Sequence, residues 1–374
     1  MTHSVPFFDY PSVFNAYREE FLSTFENVAS RGAFILQEEL LRFEYSLADF
    51  TGSKFAIGVA NATDALEMGF VAGGITKDDE IIICSHTMMA TASAVHAAGG
   101  VPVPVEVGED RCIDPDSIEA AITPRTRAIC PTQLNGRTCD MDRLAYIADT
   151  YGLDIYEDSA QALGSKFNGK SAGTFGRTGC LSFYPAKVLG CFGDGGAILT
   201  SDEELYRKLM LMRDHGRSTD GDIEFWARNS RLDNLQAAFL NVQLSRFPKV
   251  IERRRNLASL YQLRLGHCSY LQLPPPPDNN SPHFDIYQNF EVLAENRDNL
   301  RIYLKEHGVG TLIQWGGRPV HQFTKLGFTQ SLPRTDSFFN KCIMLPLNMS
   351  VTDDDINFVC DRILDFYTKC SSTR

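Results

Sequence analysis

Short apolar runs alternate with segments of helical period between residue 55 and about residue 200. The apolar runs predict strands at FAIGVAN (55–61), EIIICS (80–85), VPVPVEV (101–107), RAICPTQL (127–134), LDIYED (153–158), GCLSFYP (179–185) and GAILTS (196–201). Between them, ATDALEMGFVAGG, TMMATASAVHAAGG, DPDSIEAAI and DMDRLAYIADTYG place apolar residues at spacings of three and four, which predicts helices. Alternation of this kind favours an α/β domain with a mainly parallel central sheet.

The pattern changes after residue 202. DEELYRKLMLMRDHG (202–216) and the long stretch DNLQAAFLNVQLSRFPKVIERRRNLASLYQLRLG (233–266) predict helices, and four prolines at 274–277 interrupt the regular structure. Beyond the prolines, IYQNFEVLA, RDNLRIYLKEHG, GTLIQW and INFVCDRILDFYTK suggest a small α+β domain. We therefore predict a large domain in 1–250 and a long connecting helix with a smaller C-terminal domain in 251–374. The proline tract is the best candidate for the boundary.

Charge and composition exclude several classes of protein. Thirty-six Lys plus Arg against 47 Asp plus Glu give a net charge of −11, which disfavours an extended nucleic-acid surface. The N-terminus has no signal-peptide pattern and no segment approaches 18 uncharged apolar residues, so we expect a cytoplasmic protein without a membrane span. The ten cysteines have no zinc-ligand spacing, so we expect no metal site, and we interpret Cys191 as a packing residue.

One lysine stands out within SFYPAKVLGCFGDGGAI (182–198), because lysine is almost never fully buried unless something pairs with it or uses it. Asp158 ends an apolar strand upstream of Lys187, and the ends of parallel strands are where ligands usually sit. An enzyme that uses pyridoxal phosphate needs a Schiff-base lysine, a carboxylate at the pyridine nitrogen and donors for the phosphate. Lys187, Asp158, and the hydroxyls and amides of Ala62, Thr63 and Ser182 can meet these demands.

Three stretches carry a family resemblance: GVANATDALEMGF (58–70), EDSAQALGSKFNGKSAGTFGRTGCLSFYPAKVLGCFGDGGAILTSD (157–202) and NSRLDNLQAAFL (229–240). They resemble the pyridoxal-phosphate sugar aminotransferases of the DegT/DnrJ/EryC1/StrS group, within the fold-type I (aspartate aminotransferase) superfamily. The similarity runs over about residues 30 to 260 and continues more weakly to the C-terminus. The combination of EDxAQAxG, SFxxxKxLGxxGDGGA and NSRLDxLQAA in this order is highly specific. It implies the fold-type I architecture, with a large α/β domain and a smaller α+β domain.

The resemblance also implies roles for individual residues. Lys187 matches the lysine that forms the Schiff base and then serves as the base for the 1,3-proton shift. Asp158 matches the partner of the pyridine nitrogen, and Gln161 matches the residue that hydrogen-bonds the cofactor's phenolic oxygen. Thr63, with the neighbouring Ala62, matches part of the phosphate site.

Two further matches concern the phosphate. Ser182 matches a phosphate ligand in the same chain. Asn229 matches an asparagine that reaches the phosphate from the neighbouring subunit, which implies a homodimer with shared active sites.

The chain departs from the family pattern at three places where we expect contact with substrate. Met88 stands where relatives often carry an aromatic residue that stacks on the pyridine ring, and a thioether can also pack against a π face. The common HLYGxxxDMD reads QLNGRTCDMD, with Gln133 and Asn135 in place of the His and Tyr. IQWGGRPVHQ (313–322) stands where many relatives have a His-Tyr pair.

Together these features predict a pyridoxal 5'-phosphate aminotransferase, with pyridoxamine 5'-phosphate as the intermediate form of the cofactor. The resemblance implies glutamate as amino donor and a keto group on a nucleotide-linked deoxy sugar as acceptor. NSRLDxLQAA resembles the version found in enzymes that aminate C3. Amination of C4, another keto sugar or cyclitol, and a non-catalytic relative remain alternatives. We take four basic side chains as candidates for the substrate diphosphate, with surface or ion-pair roles equally open: Arg217, Arg231, Arg318 and His321.

Overall fold

The computed structural model describes residues 3–371. Its helices are α1 (Tyr10–Ala16), α2 (Arg18–Ser30), α3 (Glu38–Thr51), α4 (Ala62–Ala72), α5 (Met89–Ala97), α6 (Pro115–Ala121), α7 (Met141–Tyr151), α8 (Glu203–Met212), α9 (Asn234–Leu244), α10 (Phe247–Leu265), α11 (Arg297–Glu306), α12 (Pro333–Phe339) and α13 (Asp353–Ser371). Its strands are β1 (Phe55–Val59), β2 (Glu80–Cys84), β3 (Val101–Val105), β4 (Thr126–Cys130), β5 (Asp154–Asp158), β6 (Lys166–Phe167), β7 (Lys170–Ser171), β8 (Thr178–Ser182), β9 (Gly196–Thr200), β10 (Leu271–Gln272), β11 (His283–Phe284), β12 (Phe290–Ala294) and β13 (Cys342–Leu345).

A seven-stranded sheet forms the centre of the molecule, in the order β1-β9-β8-β5-β4-β2-β3. All pairings are parallel except those of β9, which runs antiparallel to both of its neighbours. Strands β2 and β9 are buried along their whole length, which explains their continuous apolar sequences. All the strands predicted between residues 55 and 201 occur, and the predicted α/β fold with a mainly parallel sheet is confirmed.

The long stretch 233–266 is two helices rather than one continuous helix. Helix α9 ends at Leu244 and α10 begins at Phe247, with Pro248 in the first turn of α10. Proline has no N–H to donate and its ring clashes with the preceding turn, so a helix tolerates it at its start and not in its interior. The expectation of one long helix missed this break.

A smaller antiparallel sheet, β10-β12-β13, packs with α10, α11 and α13 around a second apolar core. The segment GTLIQW, within the predicted small domain, forms no strand: Gln314–Gly317 is a short 3-10 turn in which Trp315 has a φ of 54°. After the prolines, β11 pairs with β6 of the large domain before the chain enters β12. Because α10 spans residues 250 and 251, the division there stays a prediction.

The described part of the chain shows neither a membrane span nor a metal site. Within residues 3–371 no helix combines the length and apolarity that crossing a bilayer requires. The same residues contain no group of three or more His, Cys, Asp or Glu side chains placed to hold a metal ion.

Candidate active site

The ends of neighbouring strands bring the predicted site residues to one edge of the central sheet. Strand β5 ends at Asp158 and pairs with Cys180 of β8, which ends two residues later at Ser182. Ser182 pairs with Gly196, and Gly196 pairs with the last residue of β1. Helix α4 begins three residues after β1, so its first turn lies at the same edge.

A cavity of about 490 Å³ opens at this edge. Every predicted cofactor residue except Asn229 lines it, namely Ala62, Thr63, Met88, Asp158, Gln161, Ser182 and Lys187. Met88 lies at the entrance to helix α5 with about half of its surface exposed, as expected of a side chain that can pack on a bound ring.

Lys187 lies in the loop that follows β8, where its backbone N–H donates to the carbonyl of Tyr184 at 2.8 Å. Burial lowers the pKa of Lys187, because a desolvated ammonium is less stable than the neutral amine, while the negative charge of Asp158 opposes this shift. The side-chain amine makes no hydrogen bond within residues 3–371. A lowered pKa and a free amine are what a nucleophilic lysine needs.

The carboxylate of Asp158 is buried and held by three donors. Oδ2 accepts a hydrogen bond of 2.6 Å from the Thr91 hydroxyl, and Oδ1 accepts from the N–H of Ala160 at 3.2 Å and the thiol of Cys180 at 3.5 Å. These contacts fix the orientation of the carboxylate, which lies in the cavity wall near Lys187.

A chain of threonine hydroxyls extends from Asp158 back to the cavity. The Thr91 hydroxyl gives its only proton to the carboxylate, so it must accept a hydrogen bond from the Thr87 hydroxyl, which is 2.7 Å away. The Thr132 hydroxyl in turn donates to the Thr87 hydroxyl at 2.8 Å. Thr87 and Thr132 also line the cavity. The sequence contained no signal for this chain, because it joins hydroxyls from two separate segments to the carboxylate of a third.

The first turn of α4 offers free donors for an anion. The side chain of Asn61 caps the N–H of Asp64 at 2.8 Å and its carbonyl accepts from Ala65, so the N–H groups of Ala62 and Thr63 are left for a ligand. Gly196 packs directly behind this turn, where a Cβ would come within 2.5 Å of the Asn61 carbonyl carbon. Only glycine therefore lets β9 approach the helix so closely.

Gln161 and its neighbours form a group of amides at the cavity. The Oε1 atom of Gln161 accepts from the backbone N–H of Asn135 at 3.0 Å and from Asn289 Nδ2 at 3.3 Å. Asn289, Gln314 and Trp315 line the same cavity. The segments of Asn135, Gln314 and Trp315 depart from the family pattern, whereas no sequence signal marks Asn289.

The expectation that Gln133 faces the substrate is wrong. Its side chain is fully buried, donates to Glu157 Oε2 at 2.8 Å and accepts from the N–H of Cys139 at 2.6 Å. Glu157 and Asp158 are adjacent in β5, so their side chains point to opposite faces of the sheet. Gln133 therefore supports the face away from the cavity.

The structure does not bring the four basic substrate candidates to the cavity wall. Arg231 pairs with Asp214 at 2.8 Å. His321 is buried, with its ring nitrogens 2.8 Å from the Ser85 hydroxyl and 3.0 Å from Asp336 Oδ1. These two side chains already have partners within the chain.

The other two basic candidates are exposed, and so is the predicted phosphate ligand Asn229. Arg318 donates to the carbonyl of Gln322 at 2.6 Å and lies over the ring of Phe323. Arg217 lies in a turn, where it pairs with Ile223 through an isolated backbone bridge. Neither Arg217 nor Asn229 lines the cavity of the single chain.

Two other features do not compete with this site. A second cavity of about 510 Å³ contains none of the predicted residues, and its basic side chains Arg334 and Lys341 are paired with Asp114 and Glu295. Burial raises the pKa of the Cys191 thiol to about 12, in agreement with a packing role.

The donor set fits pyridoxal phosphate. A desolvated lysine, a buried carboxylate at a strand end and a helix start with two free N–H groups and a nearby serine hydroxyl all face one cavity. These are the three groups that the cofactor's aldehyde, ring nitrogen and phosphate require.

Comparison with known proteins agrees with this geometry. The model of the DegT/DnrJ/EryC1/StrS aminotransferase family matches residues 15–364. A dTDP-3-amino-3,4,6-trideoxy-alpha-D-glucose transaminase of Streptomyces venezuelae is 38% identical over 351 residues, covering 92% of each chain.

Two solved structures are similar in fold and sequence. The S. venezuelae enzyme DesV, solved in complex with a ketimine intermediate, superposes with a TM-score of 0.93 at 37% identity, covering 98% of this chain and 99% of DesV. NtdA of Bacillus subtilis, solved with bound cofactor PMP, gives a TM-score of 0.87 at 29% identity over 97% of this chain and 85% of NtdA. The chain belongs to the DegT/DnrJ/EryC1/StrS aminotransferase family and is an aminotransferase that uses pyridoxal phosphate.

Proposed function

We propose that this enzyme transfers the amino group of L-glutamate to the C3 keto group of a nucleotide-linked deoxy sugar. The observation that carries the proposal is the convergence of Lys187, Asp158 and the free first turn of α4 on one cavity. Similarity to a transaminase that produces a dTDP-linked 3-amino sugar supports the choice of C3 and of a nucleotide-linked substrate.

The proposed roles follow from the chemistry of each group. Pyridoxal phosphate, when bound, supplies an aldehyde and a ring that withdraws electrons. Lys187 would hold the aldehyde, and its Nζ would serve as the base that moves a proton. Asp158 would hold a proton on the ring nitrogen, Gln161 would donate to the phenolic oxygen, and Met88 would pack on the ring.

The phosphate would be held at the start of α4. The N–H groups of Ala62 and Thr63, the Thr63 hydroxyl and the Ser182 hydroxyl are the donors we assign to it. Ser182 accepts only a weak contact from the Tyr184 N–H, at 3.4 Å, so its proton is free for a ligand.

We further propose a homodimer in which each subunit completes the other's site. Among the described residues of the cavity wall, Lys187 is the only basic side chain, and Asp158 and Asp194 are acidic. One basic side chain supplies too little positive charge for two phosphate groups. Asn229 is exposed and lies three residues from Trp226, a fully exposed tryptophan of the kind that subunit interfaces cover. Arg217, in the same surface segment, is a candidate for the substrate's diphosphate in the partner's site.

Mixing two inactive variants tests the shared site. A Lys187→Ala subunit combined with an Asn229→Ala subunit should form mixed dimers in which one site has both native residues, so activity and cofactor retention should recover above either variant alone. Sedimentation should show a dimer. A fully active monomer would contradict the assignment.

The substrate is tested by offering dTDP-, UDP- and GDP-linked keto sugars with glutamate and following the mass of the products. We expect amination of a 3-keto sugar, located at C3 by NMR of the product. Amination at C4 only would overturn the regiochemistry and leave the transaminase intact. Amination of none of these sugars, with turnover of a free keto sugar or cyclitol, would overturn the nucleotide-sugar assignment.

We also propose that the enzyme works in the cytoplasm. The cysteines of residues 3–369 are all free thiols and nearly all are buried, which suits a reducing compartment. A cell fractionation in which the protein accompanies a secreted marker would contradict this.

A further inference from the structure

We propose that Asn135, oriented by the buried carboxylate of Glu291, is a positioning residue that turns the amide of Gln161 so that its NH₂ group faces the bound cofactor. The inference rests on the proposed function, in which Gln161 donates to the phenolic oxygen of pyridoxal phosphate. It adds the groups that decide which end of the Gln161 amide the cofactor meets.

The directions of the hydrogen bonds in this network are set first at Glu291. This side chain is 1% exposed, and a carboxylate can only accept hydrogen bonds. Asn135 must therefore turn its Nδ2 atom towards Glu291 Oε2, at 2.9 Å. Its Oδ1 atom then faces the other way, where it accepts from Gln314 Nε2 at 2.7 Å and from Asn289 Nδ2 at 2.8 Å.

The same order extends to Gln161. Asn289 has turned its NH₂ group towards Asn135, and this group also reaches Gln161 Oε1 at 3.3 Å. The backbone N–H of Asn135, which can only donate, lies 3.0 Å from the same oxygen. With two donors at its oxygen, Gln161 presents its NH₂ group as the end without a partner among residues 3–371, in the wall of the cavity.

The far end of the network agrees with this direction. Gln314 donates to Asn135 with its Nε2 atom, so its Oε1 atom accepts from His86 Nε2 at 2.9 Å. An amide side chain can be reversed without a change of shape, so a ring of amides alone would have two equivalent orders. The backbone N–H of Asn135 sets the order at Gln161, and the charge of Glu291 sets the order of the side-chain amides that support it.

The backbone holds the members of the network in place. Asn135 has a φ of 56°, a left-handed conformation that asparagine tolerates better than most residues. A Cβ on Gly136 would lie 2.5 Å from the N–H nitrogen of Gln288, so this turn packs directly against the segment that carries Asn289. The carbonyl of Gly136 accepts from the N–H of Ile286 at 2.9 Å, which joins the two segments.

Glu291 lies among groups that accommodate its charge. Burial lowers the pKa of the nearby Arg111, and the charge of Glu291 opposes that shift. His86 Nε2 is 3.6 Å from Glu291 Oε1. Both Glu291 and Arg111 line a small pocket of about 20 Å³, which is large enough for one water molecule, and Glu291 Oε1 and Arg111 Nε have no hydrogen-bond partner among the described residues.

The test measures the visible absorbance of the reconstituted enzyme against pH, together with the dissociation constant of pyridoxal phosphate. Gln161→Ala is the reference variant. Loss of a donor leaves the charge on the phenolic oxygen less stabilised, so the midpoint of the absorbance change should rise by about one pH unit. Asn135→Ala keeps the backbone N–H that donates to Gln161 but removes the side-chain oxygen that turns Asn289 Nδ2 towards Gln161, so it should produce a smaller rise in the same direction, although Asn135 does not line the cofactor cavity.

Glu291→Gln separates orientation from packing. Glutamine has the same shape but can also donate, so Asn135 is free to reverse, and the midpoint should rise in the same direction. Asn299→Ala, an exposed asparagine bonded only to Asn296 in the described chain, is the matched control and should keep the native midpoint. Thermal unfolding followed by circular dichroism checks that each variant folds, and Asn289→Ala replaces Glu291→Gln if the latter does not.

Three outcomes are distinguishable. The positioning role would be overturned if Gln161→Ala raised the midpoint while folded Asn135→Ala and Glu291→Gln, or its substitute, kept the native midpoint. The proposed function would remain intact in that case. A native midpoint in Gln161→Ala would overturn both the role of Gln161 and this inference. Native enzyme that takes up no pyridoxal phosphate would contradict the proposed function itself.

Discussion

Two parts of one cavity differ in how they are built. The first, the cofactor wall, consists of Ala62, Thr63, Asp158, Ser182 and Lys187, which come from strand ends, a helix start and the loop after β8, all between residues 62 and 187. It contains an amine, a carboxylate and free backbone donors.

The second part, the amide wall, consists of Asn289, Gln314 and Trp315 from the C-terminal third of the chain. It contains neutral amides and one aromatic ring. The contrast suggests that chemistry common to the family is fixed by the cofactor wall, and that the sugar is selected by the amide wall.

Replacing the amine of the cofactor wall should have the largest effect. Lys187→Ala removes both the nucleophile and the proton carrier, so amino transfer should fall by at least about 10⁴-fold. The rate of transfer from glutamate in a single turnover is the measurement. Lys249→Ala, an exposed lysine in α10, should keep the native rate, and a Lys187→Ala enzyme with a tenth of native activity would break the account.

The charge of Asp158 should matter next. Asp158→Asn keeps the shape of the side chain and removes the negative charge that stabilises the protonated ring nitrogen. We therefore expect the rate to fall by about 10²–10³-fold with the cofactor still bound. Asp149→Asn on the surface of α7 is the control. Equal rates for Asp158→Asn and the native enzyme would remove this residue from the mechanism.

Thr91 sharpens the comparison within the cofactor wall, because it lies behind Asp158 and does not line the cavity. Thr91→Val deletes one hydrogen bond to a carboxylate and should lower the rate by about tenfold. Thr91→Ser keeps the hydroxyl and should restore most of the activity. If serine and valine behave alike, packing rather than the hydrogen bond explains the effect.

A substitution in the amide wall should change KM for the keto sugar. Trp315→Phe removes an N–H group that has no hydrogen-bond partner among the described residues, and we expect KM for the keto sugar to rise by about fivefold. The dissociation constant of pyridoxal phosphate should stay within about twofold. A larger change in cofactor binding than in KM would contradict the division into two walls.

The cofactor wall was predictable because its residues are encoded locally. Asp158 and Ser182 end apolar strands, Thr63 opens a helix, and Lys187 sits in a motif with a specific order of neighbours. Strand periodicity was therefore enough to place Asp158, Ser182 and Thr63 at one edge of the sheet, and the motif that follows β8 added Lys187.

The amide wall depends on contacts that no local pattern specifies. Asn289 meets Asn135 across 154 positions of sequence. The family motif predicted a substrate contact for Gln133, although Glu157 holds it on the far face of the sheet. The break between α9 and α10 could have been read from Pro248, since proline favours the first turn of a helix. The sequence pattern does not predict strand β13, because this strand is short and fully buried.

The central claim is that Lys187 carries the cofactor. The direct measurement is borohydride reduction of the protein reconstituted with pyridoxal phosphate, followed by peptide mass mapping. The account predicts one pyridoxyl group per chain, on the peptide that contains Lys187, and none in Lys187→Ala. A stoichiometric label on another lysine, or no label in protein that remains folded, would contradict it.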